Sequence, residues 1–308
     1  MSKPPLDRWA LSRALTRMAN ASPQELLQMV VTEPPRQFAR RIGITGAPGS
    51  GKSTLTGHLA LDRLARNGRL GILAIDPSSP RSGGAILGDR VRMDDLAGSD
   101  QLYIRSLGSR RTSDGLADNL PEMLDLMDHF GFDEVLLETV GVGQAEYAVR
   151  SQVDTLVLTL LPESGDIVQA MKAGIMEMAD IYVVNKADLP GARRMVADLR
   201  RLAAMVRPSP QAWVTPILAV SSMQPETIRA LSQAIDDHLA WQTARVSGND
   251  DRPLQRARYR LKRWMDLQIA DVTAQLGDDL YRLPVPQQAI KVLEKIQSRL
   301  EIPDKSNA

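Results

Sequence analysis

Eight consecutive residues, Gly46-Ala47-Pro48-Gly49-Ser50-Gly51-Lys52-Ser53, fit the pattern G-x-x-x-x-G-K-[ST] at every required position. Glycines spaced in this way let successive main-chain N–H groups turn inward, and a helix N-terminus behind them adds its positive partial charge. The chemistry this favours is the capture of phosphate. Lys52 is expected to reach the β- and γ-phosphates, the Ser53 hydroxyl to fill one position of an octahedral Mg²⁺, and Thr54 to continue the same binding stretch. A chance glycine-rich turn would need no particular flanks. Here residues 41–45 read as a short buried strand, and residues 54–66 carry apolar side chains at helical spacing, so strand, loop and helix come in the required order.

A second cluster, Asn185-Lys186-Ala187-Asp188, follows the apolar run 180–184. A carboxylate at Asp188 can accept from N1–H and from the exocyclic amine of guanine, whereas adenine offers neither donor. An unpaired carboxylate repels the wrong base as effectively as a paired one holds the right base. Asn185 is expected to brace the loop, and the Lys186 stem to cover the base face. Ser221-Ser222, at the end of the run 217–220, is placed to offer main-chain amides to guanine O6, although serine pairs are also ordinary turn residues.

Acids near the ends of strands complete the candidate site. Asp76 follows the run 70–75, and in a parallel sheet ligands lie beyond the carboxyl ends of the strands. Asp89 lies in a stretch whose Arg81-Ser82-Gly83-Gly84 suits a switch that orders around triphosphate and Mg²⁺; the plainer reading is a solvent loop with an incidental acid. Glu138 ends the run 134–137, and Gly141 three residues later would bring a main-chain N–H to the γ-phosphate. Lys52, Asp89, Glu138 and Gln144 are thus the expected catalytic set, and Ser53, Asp76, Asp89 and Glu138 the metal set. No glutamine directly follows Gly141 to position the attacking water, so slow intrinsic hydrolysis is expected, with Gln144 and Asp89 as candidates once a partner closes the site.

The elements that must hold these residues alternate between apolar runs at 41–45, 70–75, 101–105, 134–138, 155–161, 180–184 and 213–220 and stretches of helical spacing. That alternation is the signature of an α/β fold with a mostly parallel sheet covered by helices. With 308 residues, the chain divides by spacing into a helical extension over 1–40, a nucleotide domain over 41–243 and a helical arm over 244–308. The extension contains Ser22-Pro23-Gln24-Glu25, a capping box with proline at the first helical position. Asn67-Gly68 reads as the stop of the helix that follows the phosphate loop.

Composition narrows the function classes further. A formal net charge of +1 gives no global attraction to nucleic acid, and Arg256, Arg258, Arg260, Lys262 and Arg263 read as a solvated face. No Cys is present, which excludes disulfides and thiolate metal sites, and the three histidines, His58, His129 and His238, show no ligand spacing and read as surface or packing residues. No apolar run is long enough to cross a bilayer. Arg8, Arg13 and Arg17 faintly resemble a transit peptide, but the scarcity of serine and the early Asp7 favour an amphipathic helix and a cytoplasmic protein.

Five stretches together carry a family resemblance: residues 46–53, Ile-Asp-Pro-Ser-Ser-Pro at 75–80, Gly-Gly-Ala-Ile-Leu-Gly-Asp-Arg-Val-Arg-Met at 83–93, Glu-Thr-Val-Gly-Val-Gly-Gln at 138–144, and residues 185–188. In these the chain resembles the MeaB/ArgK GTPases, the G-protein chaperones of adenosylcobalamin-dependent acyl-CoA mutases such as methylmalonyl-CoA mutase. The likeness covers roughly residues 8–240. It implies a P-loop NTPase of the SIMIBI class that uses GTP/GDP and Mg²⁺, forms a homodimer through its C-terminal arm, and gates loading, protection and exchange of adenosylcobalamin in the mutase. Cobalamin itself is expected to sit on the mutase and not on this chain. Residues 163–174, which spacing alone reads as a loop and a capped helix, match the family's third switch, so the resemblance gives Asp166, Gln169 and Lys172 a relay role. The chain departs from the family at Ser109-Arg110-Arg111-Thr112-Ser113-Asp114-Gly115 and after Ser222, where expected glycines are missing, and such changes would suit a specialised partner, for instance a mutase of a branched or hydroxylated acyl-CoA. A nickel-insertion GTPase would want Cys or His clusters, and a P-loop kinase would want a base for a phosphate acceptor; residues 185–188 supply no such base.

Overall fold

A computed structural model describes residues 4–29, 35, 37–66, 68–77, 100–109, 116–139, 145–162, 177–205, 212–245 and 251–300. The chain divides into two compact units, Met1–Ala19 with Pro34–Arg252, and Asn20–Glu33 with Pro253–Ala308.

The first unit is built on seven parallel strands: β1 (Arg40–Gly46), β2 (Leu70–Pro77), β3 (Leu102–Ser109), β4 (Glu134–Glu138), β5 (Thr155–Leu160), β6 (Ile181–Asn185) and β7 (Ile217–Val220), in the order β3-β2-β4-β1-β5-β6-β7. Strands such as Thr155-Leu156-Val157-Leu158-Thr159-Leu160 are apolar along their length because helices cover both faces of the sheet, and every residue of that strand is buried. Helices α3 (Lys52–Leu64) and α7 (Pro225–Arg245) contribute Leu55, Leu59, Leu231 and Ile235 to a core with Ile42, Ile44 and Leu136. Helix α6 (Ala192–Met205) packs Met195 and Leu199 against Leu158 and Val184. Helices α4 (Leu120–His129) and α5 (Ala145–Arg150) follow β3 and β4. Because β1 lies between β4 and β5, its carboxyl end opens at the middle of the sheet, where a ligand can lie across it.

Helix α1 (Arg8–Asn20) buries Leu11 and Leu15 fully and lies beside β3, the edge strand. Arg105 of β3 donates to the Ser12 carbonyl at 3.2 Å and to Thr16 Oγ1 at 3.0 Å, and Asn119 Nδ2 donates to the Met18 carbonyl at 2.9 Å. These bonds hold the extension against the sheet at its edge strand.

Several bounds differ from those the spacing predicts. Helix α3 begins at Lys52 because Gly51 already caps it, and it closes at Leu64 with Ala65 as C-cap, ahead of the Asn67-Gly68 stop. Strand β3 continues to Ser109, while β7 is confined to Ile217–Val220, downstream of Pro216, which has no N–H to donate to a ladder.

In the second unit, the capping box of α2 (Pro23–Gln28) is formed, with Glu25 N donating to Ser22 Oγ at 3.3 Å and Ser22 N donating to Glu25 Oε2 at 2.7 Å. Trp264 Nε1, on α8 (Arg252–Leu276), donates to the Pro23 carbonyl at 3.3 Å. Val272 of α8 meets Val292 and Ile296 of α9 (Val285–Leu300).

Candidate functional site

The phosphate loop leaves β1 at Gly46, whose φ is 145°, and a Cβ there would stand 2.1 Å from the Thr159 carbonyl oxygen of β5. Gly51, with φ 83°, caps α3, and a Cβ on it would stand 2.5 Å from Asn185 Nδ2. These two glycines are fixed by neighbours on both sides of the loop, so the pattern's spacing has a steric cause. Lys52 is buried, and its ammonium donates to the carbonyls of Gly46 at 2.9 Å and Ala47 at 3.0 Å, folding the side chain back over the loop. The main-chain N–H groups at the N-terminus of α3, together with the Lys52 ammonium, are donors suited to phosphate.

Beside the loop, Ser53 Oγ donates to Glu138 Oε1 at 2.6 Å. Glu138 ends β4, and Asp76 follows the residue that pairs with it by two places along β2, so both carboxylates stand at the carboxyl ends of adjacent strands. Both are buried. The available ligands are oxygens only, and among the described residues no group of three His, Cys, Asp or Glu could hold an ion. A hydroxyl with one or two carboxylates suits Mg²⁺, which keeps several waters, better than it suits a softer metal. Below the loop, Thr139 Oγ1 donates to Thr45 Oγ1 at 2.9 Å, joining the residue before Gly46 to the residue after Glu138.

Of the residues expected to read guanine, Asn185 and Lys186 reach the same loop. Asn185 Nδ2, at the end of β6, donates to the Ser50 carbonyl at 2.8 Å, and Lys186, held at φ 52°, places Nζ 3.5 Å from the Gly49 carbonyl. Ser221 Oγ, fully buried, donates to Asp188 Oδ1 at 2.6 Å. That hydrogen bond, with smaller help from a main-chain N–H and the Lys186 charge, holds the Asp188 carboxyl below its ordinary range. Ala187 N donates to the Val220 carbonyl at 3.0 Å, so the loops after β6 and β7 are tied together directly.

The fold therefore gathers Gly46 to Thr54, Asp76, Glu138, Asn185, Lys186, Asp188 and Ser221 around the carboxyl ends of β1, β2, β4, β6 and β7. Ser222 is exposed beside them. Asp89, Gly141, Gln144, Asp166, Gln169, Lys172 and the loop 110–115 lie outside the described residues. Two features escaped the sequence reading: the Ser221 hydroxyl as a support for Asp188, and the Thr45–Thr139 bond. A serine at a strand end and a threonine inside a strand look the same whether or not a carboxylate or a second hydroxyl faces them.

A profile described as "Methylmalonyl Co-A mutase-associated GTPase MeaB" matches residues 11–277. The chain belongs to the MeaB family. It is a P-loop GTPase, and so binds GTP and GDP and hydrolyses GTP. A "probable GTPase" of Mycobacterium tuberculosis is 40% identical over 241 residues, covering 75% of this chain and 71% of the relative. A mitochondrial methylmalonic aciduria type A homolog of Caenorhabditis briggsae is 32% identical over 282 residues, covering 86% of this chain and 67% of that protein. The crystal structure of a LAO/AO transport system kinase superposes with a TM-score of 0.67, covering 94% of each chain at 24% identity, which speaks for the fold alone. No helix among the described residues is long and apolar enough to cross a membrane.

Proposed function

We propose that this MeaB-family chain is a chaperone GTPase that gates adenosylcobalamin loading, protection and exchange in an acyl-CoA mutase, acting in the cytoplasm as a homodimer. The observation that carries the nucleotide half is the pair of ties from Asn185 to the Ser50 carbonyl and from Ser221 to Asp188, which make the base reader and the phosphate loop parts of one rigid site. The mutase half rests on the family description and on the relative named for methylmalonic aciduria. Exposed Leu254, Leu261 and Ile269 on α8 and Ile290 and Leu293 on α9 support a homodimer, since these side chains leave apolar surface open to a partner.

In this reading Ser53, Glu138 and Asp76 hold Mg²⁺, with Asp89 a further ligand. Mg²⁺ held there would supply positive charge to offset that of the phosphates. Lys52 leaves the Gly46 and Ala47 carbonyls to meet the β- and γ-phosphates, where its ammonium offsets charge that grows as the γ-phosphoryl departs. The Gly141 N–H meets the γ-phosphate, and Ser221 and Ser222 amides face guanine O6. Gln144 and Asp89 orient the attacking water once the mutase has closed the site, and Asp166, Gln169 and Lys172 relay nucleotide state to it. Intrinsic hydrolysis is slow for want of a glutamine after Gly141.

Calorimetry with GDP and ADP, followed by GTP hydrolysis assays with and without a cobalamin-dependent acyl-CoA mutase from the same genome, tests both halves. Tight GDP binding, no ADP binding and a rate raised by the mutase are expected. ADP binding as tight as GDP would overturn the guanine reading, and a rate that no such mutase raises would overturn the chaperone reading while leaving the GTPase intact.

A further inference from the structure

Glu138 is placed by more than the strand that carries it. Its carboxylate accepts from Ser53 Oγ at 2.6 Å, and its main chain lies opposite Ile44 of β1 and Ala74 of β2, where the pairings of β4 with both strands end. The next residue, Thr139, is joined to β1 twice. Its N–H donates to the Ile44 carbonyl at 3.1 Å, and its hydroxyl donates to Thr45 Oγ1 at 2.9 Å. Thr45 is a fixed point for that second bond, since it pairs with Leu158 of β5 and leads directly into Gly46, the start of the phosphate loop.

Burial decides what the two hydroxyls are for. Thr45 is 0% exposed and Thr139 1%, so each hydroxyl needs a partner inside the protein and each has the other. Removing one would strand its partner, but replacing both by apolar groups of the same shape would be nearly neutral for stability. Two valines would therefore serve the core as well. What valines would not supply is direction. The main-chain bond alone keeps Thr139 in the ladder, whereas a second bond between two β-branched side chains with few rotamers sets the line along which the chain leaves Glu138. Mg²⁺ demands near-ideal octahedral geometry, so a small displacement of one carboxylate would be felt.

We propose that Thr45 and Thr139 are positioning residues for GTP hydrolysis, whose hydroxyl bond holds the Glu138 carboxylate against Ser53 so that both can serve one Mg²⁺. They act through Glu138 and not on the nucleotide. The inference rests on the reading of Ser53 and Glu138 as metal ligands, and adds to it the residues that set their spacing.

The test compares the full chain with Thr139→Val, Thr139→Ser and Thr45→Val/Thr139→Val. Each is followed by thermal unfolding without nucleotide, by calorimetry of a non-hydrolysable GTP analogue with and without Mg²⁺, and by single-turnover GTP hydrolysis. Thr139→Val is expected to lower the melting temperature, because it leaves the Thr45 hydroxyl buried and unpaired, and the double variant to recover it. Affinity for the analogue without Mg²⁺ is expected to match the parent throughout. The gain in affinity that Mg²⁺ confers and the hydrolysis rate are both expected to be smaller in the double variant by roughly tenfold or more, and close to the parent in Thr139→Ser. A double variant that recovers the Mg²⁺ response and the rate along with the melting temperature would overturn the proposal, because the hydroxyls would then serve packing alone. A parent whose affinity for the analogue ignores Mg²⁺ would overturn the metal reading itself, and this proposal with it.

Discussion

To read guanine as proposed, Asp188 must present two acceptor lone pairs in one plane to a purine edge, and a carboxylate on a surface loop would otherwise rotate freely. The 2.6 Å bond from buried Ser221 fixes that rotation before the base arrives, so part of the ordering cost of binding is met in the folded protein. Ser221→Ala is therefore expected to weaken GDP several-fold and to narrow the margin over inosine diphosphate, read by competition calorimetry, while melting temperature changes little. Unchanged affinity would mean the hydroxyl is incidental. Asp188→Asn exchanges acceptors for a donor and an acceptor, and is expected to move preference from guanine toward xanthine. Lys52→Ala is expected to lower GTP affinity by orders of magnitude, because its ammonium has no substitute among the residues of the loop. These roles differ in how readily a sequence reveals them. The glycines and Lys52 are legible because steric and charge demands at fixed spacing admit few residue types, whereas Ser221 is recognisable only once β7 is laid beside β6.

Helices and strands were legible to the extent that their burial is periodic. The largely apolar, buried run of β5 reveals a parallel sheet, whereas in β3 Arg105 and Ser106 interrupt the pattern and the spacing predicts too short a strand; the structure shows Arg105 turned to α1, a contact the sequence cannot signal. The same limit hides the surroundings of His238 on α7. Its Nδ1 lies 2.8 Å from Thr155 Oγ1, its Nε2 lies 3.3 Å from Asp180, and its ring is flanked by Trp213 and Trp241. The trio resembles a catalytic hydroxyl, imidazole and carboxylate, but His238 and Thr155 are closed off from solvent, so its work is to join β5, β6 and α7. Burial, then the charges of Arg150 and Arg252, push the His238 pKa down to about 4. A histidine kept neutral when folded, but free to protonate near its ordinary value of about 6.5 when unfolded, adds stability above that value and loses it as pH falls toward 4. The stability difference between the parent and His238→Gln, measured by urea unfolding, is expected to shrink over that interval by at most about 1.4 kcal/mol per pH unit. A difference constant from pH 7 to 4 would show that the ring does not titrate this way.

At the scale of the whole chain, the stretch before β1 looks in sequence like one helical extension, yet its two helices fall in different compact units: α1 with the sheet, and residues 20–33 with the C-terminal helices. Sequence spacing could not reveal that division, because Trp264 and Gln268, which bond to Pro23 and Gln24, lie more than two hundred positions away. A prediction about truncation follows from it. The sheet unit owns its core and every described residue of the nucleotide site, so a chain ending at Arg252 should still fold cooperatively and bind GDP as tightly as the parent. Residues 20–33, stripped of Trp264 and Gln268, should become the first point of proteolytic cleavage, since a six-residue helix cannot hold itself together without packing. If the open apolar faces of α8 and α9 form the homodimer, the truncated chain should also sediment as a monomer at concentrations where the parent sediments as a dimer. A truncated chain that lost GDP affinity would show that the guanine site draws on the second unit, and a truncated chain that remained dimeric would move the interface onto the sheet unit.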